Sequence, residues 1–204
     1  GMGHLRLVDI GVAAMPGAAV VLDKPVLHAP PADSHKYRRG LLAIVGGEMP
    51  GAPLLSAEAA LRAGAGYVRL LADWRPDGVP PELVCVEDVA GGITDERIAA
   101  LLIGPGLGRG QTARARLGAV VSRGLPTVID ADALMLLGPD LPLRAACVLT
   151  PHEGEMAALE RAFALSGDGL RRDRAVALAR ASGAVVLLKG PDSLIASPDG
   201  SVTL

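Results

Sequence analysis

The chain alternates short apolar runs with longer segments in which apolar and polar residues recur at helical spacing. A continuous apolar run bounded by glycine or polar residues is typical of a strand buried on both faces. The predicted strands are LLAIVGG (41–47), YVRLLA (67–72), LLIG (101–104), TVID (127–130), CVLT (147–150) and AVVLLKG (184–190). Strands that alternate with helices predict an α/β fold with a mainly parallel sheet and helices on both faces.

The segments between these strands carry helical spacing. The predicted helices cover 53–66, 93–100 from near Thr94, 111–124 closed by Gly124, the stretch ALMLLG, a segment from Pro151, and 170–183. The last segment, 193–204, predicts a hairpin that turns at Asp199–Gly200. Four prolines discourage helix in the first 40 residues. We therefore predict an irregular segment over 1–34 and one α/β domain over 35–204.

Composition narrows the class of protein. Half of the 204 residues are apolar but only 2% are aromatic, so the core must be built from small and aliphatic side chains. The net charge is −2, and neither the positive nor the negative residues are clustered along the sequence. This argues against non-specific nucleic-acid binding and against a membrane-surface patch. No run has transmembrane length and the start is not a signal peptide, which predicts a cytoplasmic protein. Cys85 and Cys147 lie in apolar runs and are expected as buried thiols.

The residues that follow the predicted strands are unusual. They are Gly46–Gly47, GPGLG (104–108), DAD (130–132), TPHEGE (150–155) and Lys189–Gly190. The carboxyl ends of parallel strands meet at one edge of a sheet, where ligands of open α/β folds bind. The sequence therefore predicts a ligand cleft at this edge.

Three of these motifs allow a structural and a functional interpretation. GPGLG before a helix can bring backbone N–H groups close to an anion, or can be a tight turn; it is neither G-x-G-x-x-G nor a Walker motif. One of Asp130 and Asp132 can cap the next helix, or both can act through Mg²⁺ or contact a hydroxyl. Lys189 can bind a phosphate or extend into solvent.

The stretch TPHEGE contains a helix start. Thr150 and Glu153 have the spacing of a capping box, with Pro151 at the favoured first helical position. Capping does not account for His152. A metal site is rejected because no second ligand lies one helical turn away.

In this order, the motifs resemble those of the ADP/ATP-dependent NAD(P)H-hydrate dehydratases of the ribokinase-like superfamily. The matching stretches are HKYRRG (35–40), GGEMPGAPLLSAEAALRAGAGYVRL (46–70), IGPGLG (103–108), VIDADAL (128–134), LTPHEGEMAAL (149–159) and VVLLKGPDSLIASPDG (185–200). The resemblance implies a ribokinase-like three-layer α/β/α fold. It also implies repair of hydrated NADH or NADPH, in which ADP or ATP with Mg²⁺ phosphorylates the hydrate and phosphate is then eliminated.

The resemblance assigns site residues by position. Ala52, Gly106 and His152 fall where the family contacts the hydrated dinucleotide, and we add the strand-end residues Gly108, Asp130 and Asp132 to this predicted substrate site. The residues that fall where the family contacts the adenine nucleotide are Lys189, Gly190, Pro191, Asp192 and Ser193. A homotetramer is implied as well.

Two features depart from the family pattern. The segment KGPDS stands where the family more often has small residues and threonines, and the glycine-rich G-[ST]-G-D loop with its catalytic aspartate does not occur in the sequence. We therefore expect a longer native protein, assign no catalytic residue, and expect this chain to bind weakly and turn over poorly. The alternatives are a ribokinase-like kinase of a vitamin precursor or sugar, and an inactive nucleotide-binding module.

Overall fold

The computed structural model describes residues 8, 11, 13, 19–22, 24–27, 40–143 and 146–204. Within this part of the chain, nine strands form one sheet. They are β1 (Leu41–Val45), β2 (Tyr67–Leu71), β3 (Leu83–Val86), β4 (Ile98–Ile103), β5 (Thr127–Ile129), β6 (Cys147–Leu149), β7 (Val185–Leu188), β8 (Leu194–Ala196) and β9 (Val202–Thr203).

The strand order is β3-β2-β1-β4-β5-β6-β7-β8-β9. All neighbours from β3 to β7 pair in parallel, whereas β8 and β9 form the predicted antiparallel hairpin at one end. The chain moves outward from β1 to β2 and β3, and then returns to the other side of β1 with β4. This reversal makes the carboxyl ends of β1 and β4 the topological switch point, where α/β sheets commonly bind ligands.

Helices cover both faces of the sheet, as predicted. They are α1 (Gly51–Arg62), α2 (Val89–Ile93), α3 (Gln111–Ser122), α4 (Ala131–Leu136), α5 (Glu153–Ala162) and α6 (Arg171–Ser182). Helix α1 packs on one face around Ile44, Val68 and Leu70. The other helices contribute to the larger cluster on the opposite face, which includes Leu101, Ile103 and Leu117.

The core is aliphatic, as the composition requires. Alternate residues of β1 enter opposite clusters, so Val45 joins the larger one and Ile44 the smaller one. Burial on both faces is why these strands have continuous apolar runs rather than alternating ones. The two cysteines are not joined in a disulfide. Cys147 is buried as predicted, whereas Cys85 is only partly buried; even this partial burial raises the pKa of Cys85, because burial disfavours the thiolate.

The helix predicted over 93–100 is wrong. The structure places the short helix α2 before this segment, where Asp88 accepts a hydrogen bond from Gly91 N, and Thr94 lies at its end. Strand β4 then begins at Ile98. Alanines 99 and 100 favour helix intrinsically, but parallel pairing with β1 outweighs that preference.

The amino-terminal residues make backbone contacts where they are described. Val20 N donates to Val202 O, and Leu204 N donates to Val20 O, along the outer side of β9. The motif at 35–39 lies outside the described residues, and the division into 1–34 and 35–204 stays a prediction. None of the helices in the described ranges combines the length and apolar character that a bilayer crossing demands.

Candidate functional site

The backbone of one strand end is tied to that of the next along the carboxyl edge of the sheet. The hydrogen bonds beyond the strands are Gly46 N to Leu71 O (2.8 Å), Asp130 N to Ile103 O (3.1 Å), Thr150 N to Ile129 O (3.2 Å) and Lys189 N to Pro151 O (2.8 Å). The structure therefore brings the strand-end motifs to one continuous edge. That edge has two parts with different chemistry.

The first part, which we call the glycine edge, consists of Gly46–Gly47 after β1 and residues 104–108 after β4. Met49 N donates to Gly106 O at 3.0 Å, joining the two segments. Gly106 has φ +66°, and a Cβ there would meet the Met49 carbonyl. A Cβ on Gly47 would likewise meet the backbone of Leu107. Glycine is needed here because two backbones touch, so the tight-turn interpretation accounts for part of GPGLG.

Two side chains hold the β1 end of the glycine edge. Trp74 Nε1 donates to Gly47 O at 2.7 Å, and Arg116 of α3 donates to Gly46 O at 2.8 Å while also pairing with Asp73. The Arg116 side chain is only 11% exposed. A depression of about 310 Å³ lies beside these residues. The backbone carbonyls are thus satisfied by protein donors, which fixes the loop without a bound ligand.

Asp132 anchors the far end of the glycine edge. It is buried in the first turn of α4, where it accepts hydrogen bonds from Gly108 N (3.1 Å) and Arg109 Nε (2.8 Å). Asp132 therefore has a definite structural role, and its contact with substrate stays a prediction. Gly108 is buried with φ +81°, and its N–H is occupied by this carboxylate.

The second part, which we call the charged edge, consists of Asp130, Glu155 and Lys189. Lys189 Nζ lies 2.9 Å from Asp130 Oδ1 and 3.8 Å from Glu155 Oε2. Asp130 lies at the position before α4, but its side chain makes no capping hydrogen bond. Partial burial is the largest single influence and raises the pKa of Asp130, but the hydrogen bonds from Lys189 and Thr150 and the charge of Lys189 together outweigh it and hold the pKa below its ordinary value. An ionised carboxylate and a cation thus face each other.

The start of α5 differs from the prediction. The residue at the cap is His152, not Thr150: His152 Nδ1 accepts from Gly154 N (2.9 Å) and Glu155 N (3.3 Å), and Glu155 Oε2 accepts from His152 N (2.8 Å). Thr150 and Pro151 instead continue the sheet edge through their backbones. The capping box at Thr150 and Glu153 is wrong because the same spacing, two residues later, coincides with the real end of the extended backbone.

Capping fixes the chemistry of the His152 imidazole. Since Nδ1 accepts two N–H groups, its lone pair is used and the ring hydrogen belongs on Nε2. The side chain is 60% exposed, and Nε2 lies 3.5 Å from Glu155 Oε1. His152 therefore has a structural role at Nδ1, while Nε2 carries a donor beside Glu155 on a largely exposed side chain. Contact with a ligand through Nε2 stays a prediction.

The remaining predicted site residues lie on either side of these two parts. Ala52 lies in the first turn of α1 and is partly buried; its carbonyl accepts from Ser56 Oγ. Residues 190–193 form the exposed loop between β7 and β8. Arg171 spans this loop, donating to Asp192 O at 2.9 Å and to Lys189 O at 3.2 Å.

A metal ion bound directly by protein carboxylates does not fit this edge. Asp130 is paired with Lys189, and Asp132 with Gly108 N and Arg109. Across the described ranges, no three His, Cys, Asp or Glu side chains are grouped as metal ligands. The Mg²⁺ interpretation of the two aspartates therefore has no support from their surroundings.

Sequence reasoning missed several residues that build the edge. Trp74, Arg109, Arg116 and Arg171 all bind backbone or carboxylate groups of the predicted motifs. Only Arg109 had a local signal, because it directly follows GPGLG. The other three approach the edge from other elements, and no short-range pattern indicates them.

Solved structures define the fold class. A ribokinase-like superfamily protein of Enterococcus faecalis superposes with a TM-score of 0.72 at 26% identity, covering 86% of this chain and 66% of that one. An ADP/ATP-dependent NAD(P)H-hydrate dehydratase of Bacillus subtilis, co-crystallised with ATP/Mg²⁺, gives 0.69 at 28% identity, covering 87% and 68%. The fold is therefore ribokinase-like, as the resemblance implied.

Sequence comparison narrows the class to one family. The sequence profile of the NAD(P)H-hydrate dehydratase family matches residues 42–204. The ADP-dependent (S)-NAD(P)H-hydrate dehydratase of Xanthomonas campestris is 38% identical over 205 residues, covering 90% of this chain and 69% of that protein. The chain belongs to the NAD(P)H-hydrate dehydratase family.

Longer relatives contain the same region. The bifunctional NAD(P)H-hydrate repair enzyme Nnr of Coxiella burnetii is 37% identical over 185 residues, and its counterpart in Mycobacterium tuberculosis is 37% identical over 226. These alignments cover 84% and 99% of this chain but only 37% and 44% of the relatives. The chain thus spans about two fifths of the length of these relatives.

Proposed function

We propose that this protein converts hydrated NADH or NADPH back to the intact cofactor at the expense of ADP or ATP. One observation carries the proposal: the glycine edge, the exposed His152 imidazole and Lys189 lie on neighbouring strand ends of a ribokinase-like sheet. Family membership supplies the reaction class, because relatives are named as dehydratases of this substrate.

The two parts of the edge would take different ligands. We place the hydrated dinucleotide on the glycine edge, beside Ala52, Gly106 and Gly108, with Asp132 holding the loop. From there it would extend past Asp130 to His152 at the end of β6. The adenine nucleotide would lie over Lys189 and residues 190–193. The exposed Nε2–H of His152 can donate to an oxygen of the dinucleotide, and the Lys189 ammonium can neutralise phosphate oxygens.

The reaction balances as two steps. The hydroxyl of the hydrate loses its proton to solvent and attacks the terminal phosphorus of the nucleotide, releasing AMP from ADP or ADP from ATP. Loss of inorganic phosphate, together with a proton from the adjacent carbon, then restores the ring double bond. Mg²⁺ bound to nucleotide oxygens would neutralise charge that builds on the phosphoryl group. We propose no catalytic base among the described residues.

The binding of Lys189 by Asp130 and Glu155 has a consequence for nucleotide entry. A phosphate must compete with the 2.9 Å Asp130 contact, which reduces the affinity gained from the lysine. The same contact holds the ammonium at the edge, so less side-chain entropy is lost on binding. Both effects follow from one ion pair.

A turnover assay tests the proposal. Purified protein is incubated with hydrated NADH or NADPH and with ADP or ATP, and recovery of nicotinamide absorbance is followed. We expect slow recovery that requires nucleotide, because this chain has no assigned catalytic residue. Lys189→Met should reduce the rate about a hundredfold further, the magnitude typical of losing one preorganised charge contact. Thermal shift with ADP and NADPH reports binding separately.

Three outcomes would contradict the proposal or part of it. Binding without recovery would favour the inactive module, and ATP consumption only with another alcohol would favour a kinase. Recovery without nucleotide would remove the phosphorylation step. A cytoplasmic location and a homotetramer belong to this proposal as well. Mass determination in solution would test the tetramer.

A further inference from the structure

The loop after β7 is fixed by a side chain from another helix. Arg171, the first residue of α6, donates from Nη1 to Asp192 O at 2.9 Å and from Nη2 to Lys189 O at 3.2 Å. One guanidinium thus binds both ends of a four-residue stretch. The planar fork of arginine suits this, since its donors keep a fixed relative geometry.

Gly190 lies directly under this guanidinium. A Cβ at Gly190 would meet the Nη2 and Cζ atoms of Arg171. The glycine after Lys189 therefore leaves room for the guanidinium across the loop, and a larger residue there would displace it. Approach of a ligand to the backbone is not needed to explain it.

The same arginine is anchored on the helix that carries His152. Arg171 Nε lies 2.5 Å from Glu153 Oε1, and Arg174 Nη1 lies 3.1 Å from Glu153 Oε2. Partial burial raises the pKa of Glu153, but the two arginines outweigh it and hold the pKa below its ordinary value. Arg174 is fixed in turn by Glu160, whose side chain is 4% exposed. The chain of contacts runs from a buried carboxylate to the loop.

We propose that Arg171 is a positioning residue that holds Lys189–Ser193 in the geometry required for nucleotide binding. The proposal rests on the proposed function for the identity of the ligand. An exposed loop of this kind would otherwise have to be ordered when the nucleotide binds, and that ordering reduces affinity. Arg171 removes this cost before the ligand arrives, acting through backbone carbonyls rather than by touching the nucleotide.

Two substitutions separate positioning from simple charge. Arg171→Lys keeps the positive charge but cannot span both carbonyls, and Arg171→Gln loses charge and fork together. If the geometry of the guanidinium matters, both variants lose the ordering of residues 190–193 and bind ADP more weakly. If only the charge near the phosphates matters, Arg171→Lys retains it. Arg172→Gln is the matched control, because Arg172 lies in the same turn and its guanidinium is 3.6 Å from Asp173 on its own helix.

The experiment combines hydrogen exchange in the ligand-free full chain with calorimetric titration of ADP. In both Arg171 variants we expect faster amide exchange over residues 190–193, unchanged exchange over β5, and about tenfold weaker ADP binding, from the lost pre-ordering of the loop. KM for ADP should rise by the same factor, while KM for the hydrated dinucleotide stays within about twofold, because the glycine edge is untouched. Arg172→Gln should change none of these.

The outcomes distinguish this inference from the proposed function. Unchanged exchange over 190–193 in Arg171→Lys, or ADP affinity lost only in Arg171→Gln, would overturn the positioning role. Wild-type protein that does not bind ADP, with exchange still dependent on Arg171, would overturn the nucleotide site and leave the structural role of Arg171 standing.

Discussion

The two parts of the candidate functional edge are held together by different means. At the glycine edge, backbone touches backbone, and Gly47 and Gly106 leave no room for a Cβ. At the charged edge, side chains meet: Lys189 is 41% exposed and its partner Asp130 is 29% exposed. The first part is therefore rigid and sensitive to size, whereas the second can be rearranged and is sensitive to charge.

The largest expected effect is from adding one methyl group to the glycine edge. Gly104 has φ +128°, and a Cβ there would meet the carbonyl of Asp130 and the side chain of Ala133. We expect Gly104→Ala to lower the free energy of unfolding by at least about 3 kcal/mol, from backbone strain and overpacking together. Urea denaturation measures it.

Gly124→Ala is the control for that experiment. Gly124 has φ +61° but nothing lies within 4 Å of its would-be Cβ, so only the left-handed conformation is strained. We expect Gly124→Ala to lower the free energy of unfolding by about 1 kcal/mol. Equal losses in the two variants would show that close packing at the edge contributes nothing.

The next effect separates the two roles of His152. His152→Ala should lower the free energy of unfolding by about 1 kcal/mol, because the cap of α5 is lost. His152→Asn should restore most of that stability, since asparagine is a good cap, while still lacking the imidazole donor. Urea denaturation and calorimetric titration with NADPH together measure both roles.

Thr150→Ala checks the assignment of the cap. Thr150 Oγ1 lies 3.5 Å from Ile129 O and does not bind the start of α5, so its removal should cost less than that of His152. A larger loss of unfolding free energy in Thr150→Ala than in His152→Ala would show that Thr150, not His152, caps α5. NADPH binding that survives in His152→Asn would limit His152 to capping.

The strands of this protein were easier to predict from the sequence than the starts of its helices. The strands were predictable because burial on both faces imposes continuous apolar runs, and Gly124 and the Asp199–Gly200 turn have local chemistry of their own. The cap of α5 was not, because Thr150–Glu153 and His152–Glu155 have the same spacing. Helix α2 was missed because two of its five residues are glycine.

Within the site, the identity of the edge was predictable but its support was not. Glycines, aspartates, His152 and Lys189 follow apolar runs directly, so topology alone brings them together. Arg116 and Arg171 act on residues distant in sequence, through long side chains from α3 and α6. Such contacts depend on how helices pack, which periodicity does not specify.

The smallest expected effect concerns the charged edge and pH. The pKa of Asp130 is lower in the folded protein than its ordinary value, 3.8, so its ion pair stabilises the fold fully above that value. The contribution is lost as pH falls through the folded pKa. With both side chains partly exposed, about 0.5 kcal/mol is expected.

A double-mutant cycle with Asp130→Asn and Lys189→Met, run in urea at neutral pH and again near pH 3, measures this contribution. The coupling between the two residues should be present at neutral pH and decline in acid. A coupling that grew as the pH fell would reverse the sign of the assignment. A pH-independent coupling would show packing rather than charge.

Trp74 gives the glycine edge an optical property. It is the only tryptophan in the chain, and its indole N–H is bonded to the carbonyl of Gly47. Indole emission shifts with hydrogen bonding and solvent exposure, and reduced nicotinamide absorbs where indole emits. The protein therefore has an intrinsic fluorophore at one part of its candidate functional edge. Under the proposed function, binding of intact NADH or NADPH, the product, should therefore be observable as quenching and energy transfer, without a label and without turnover.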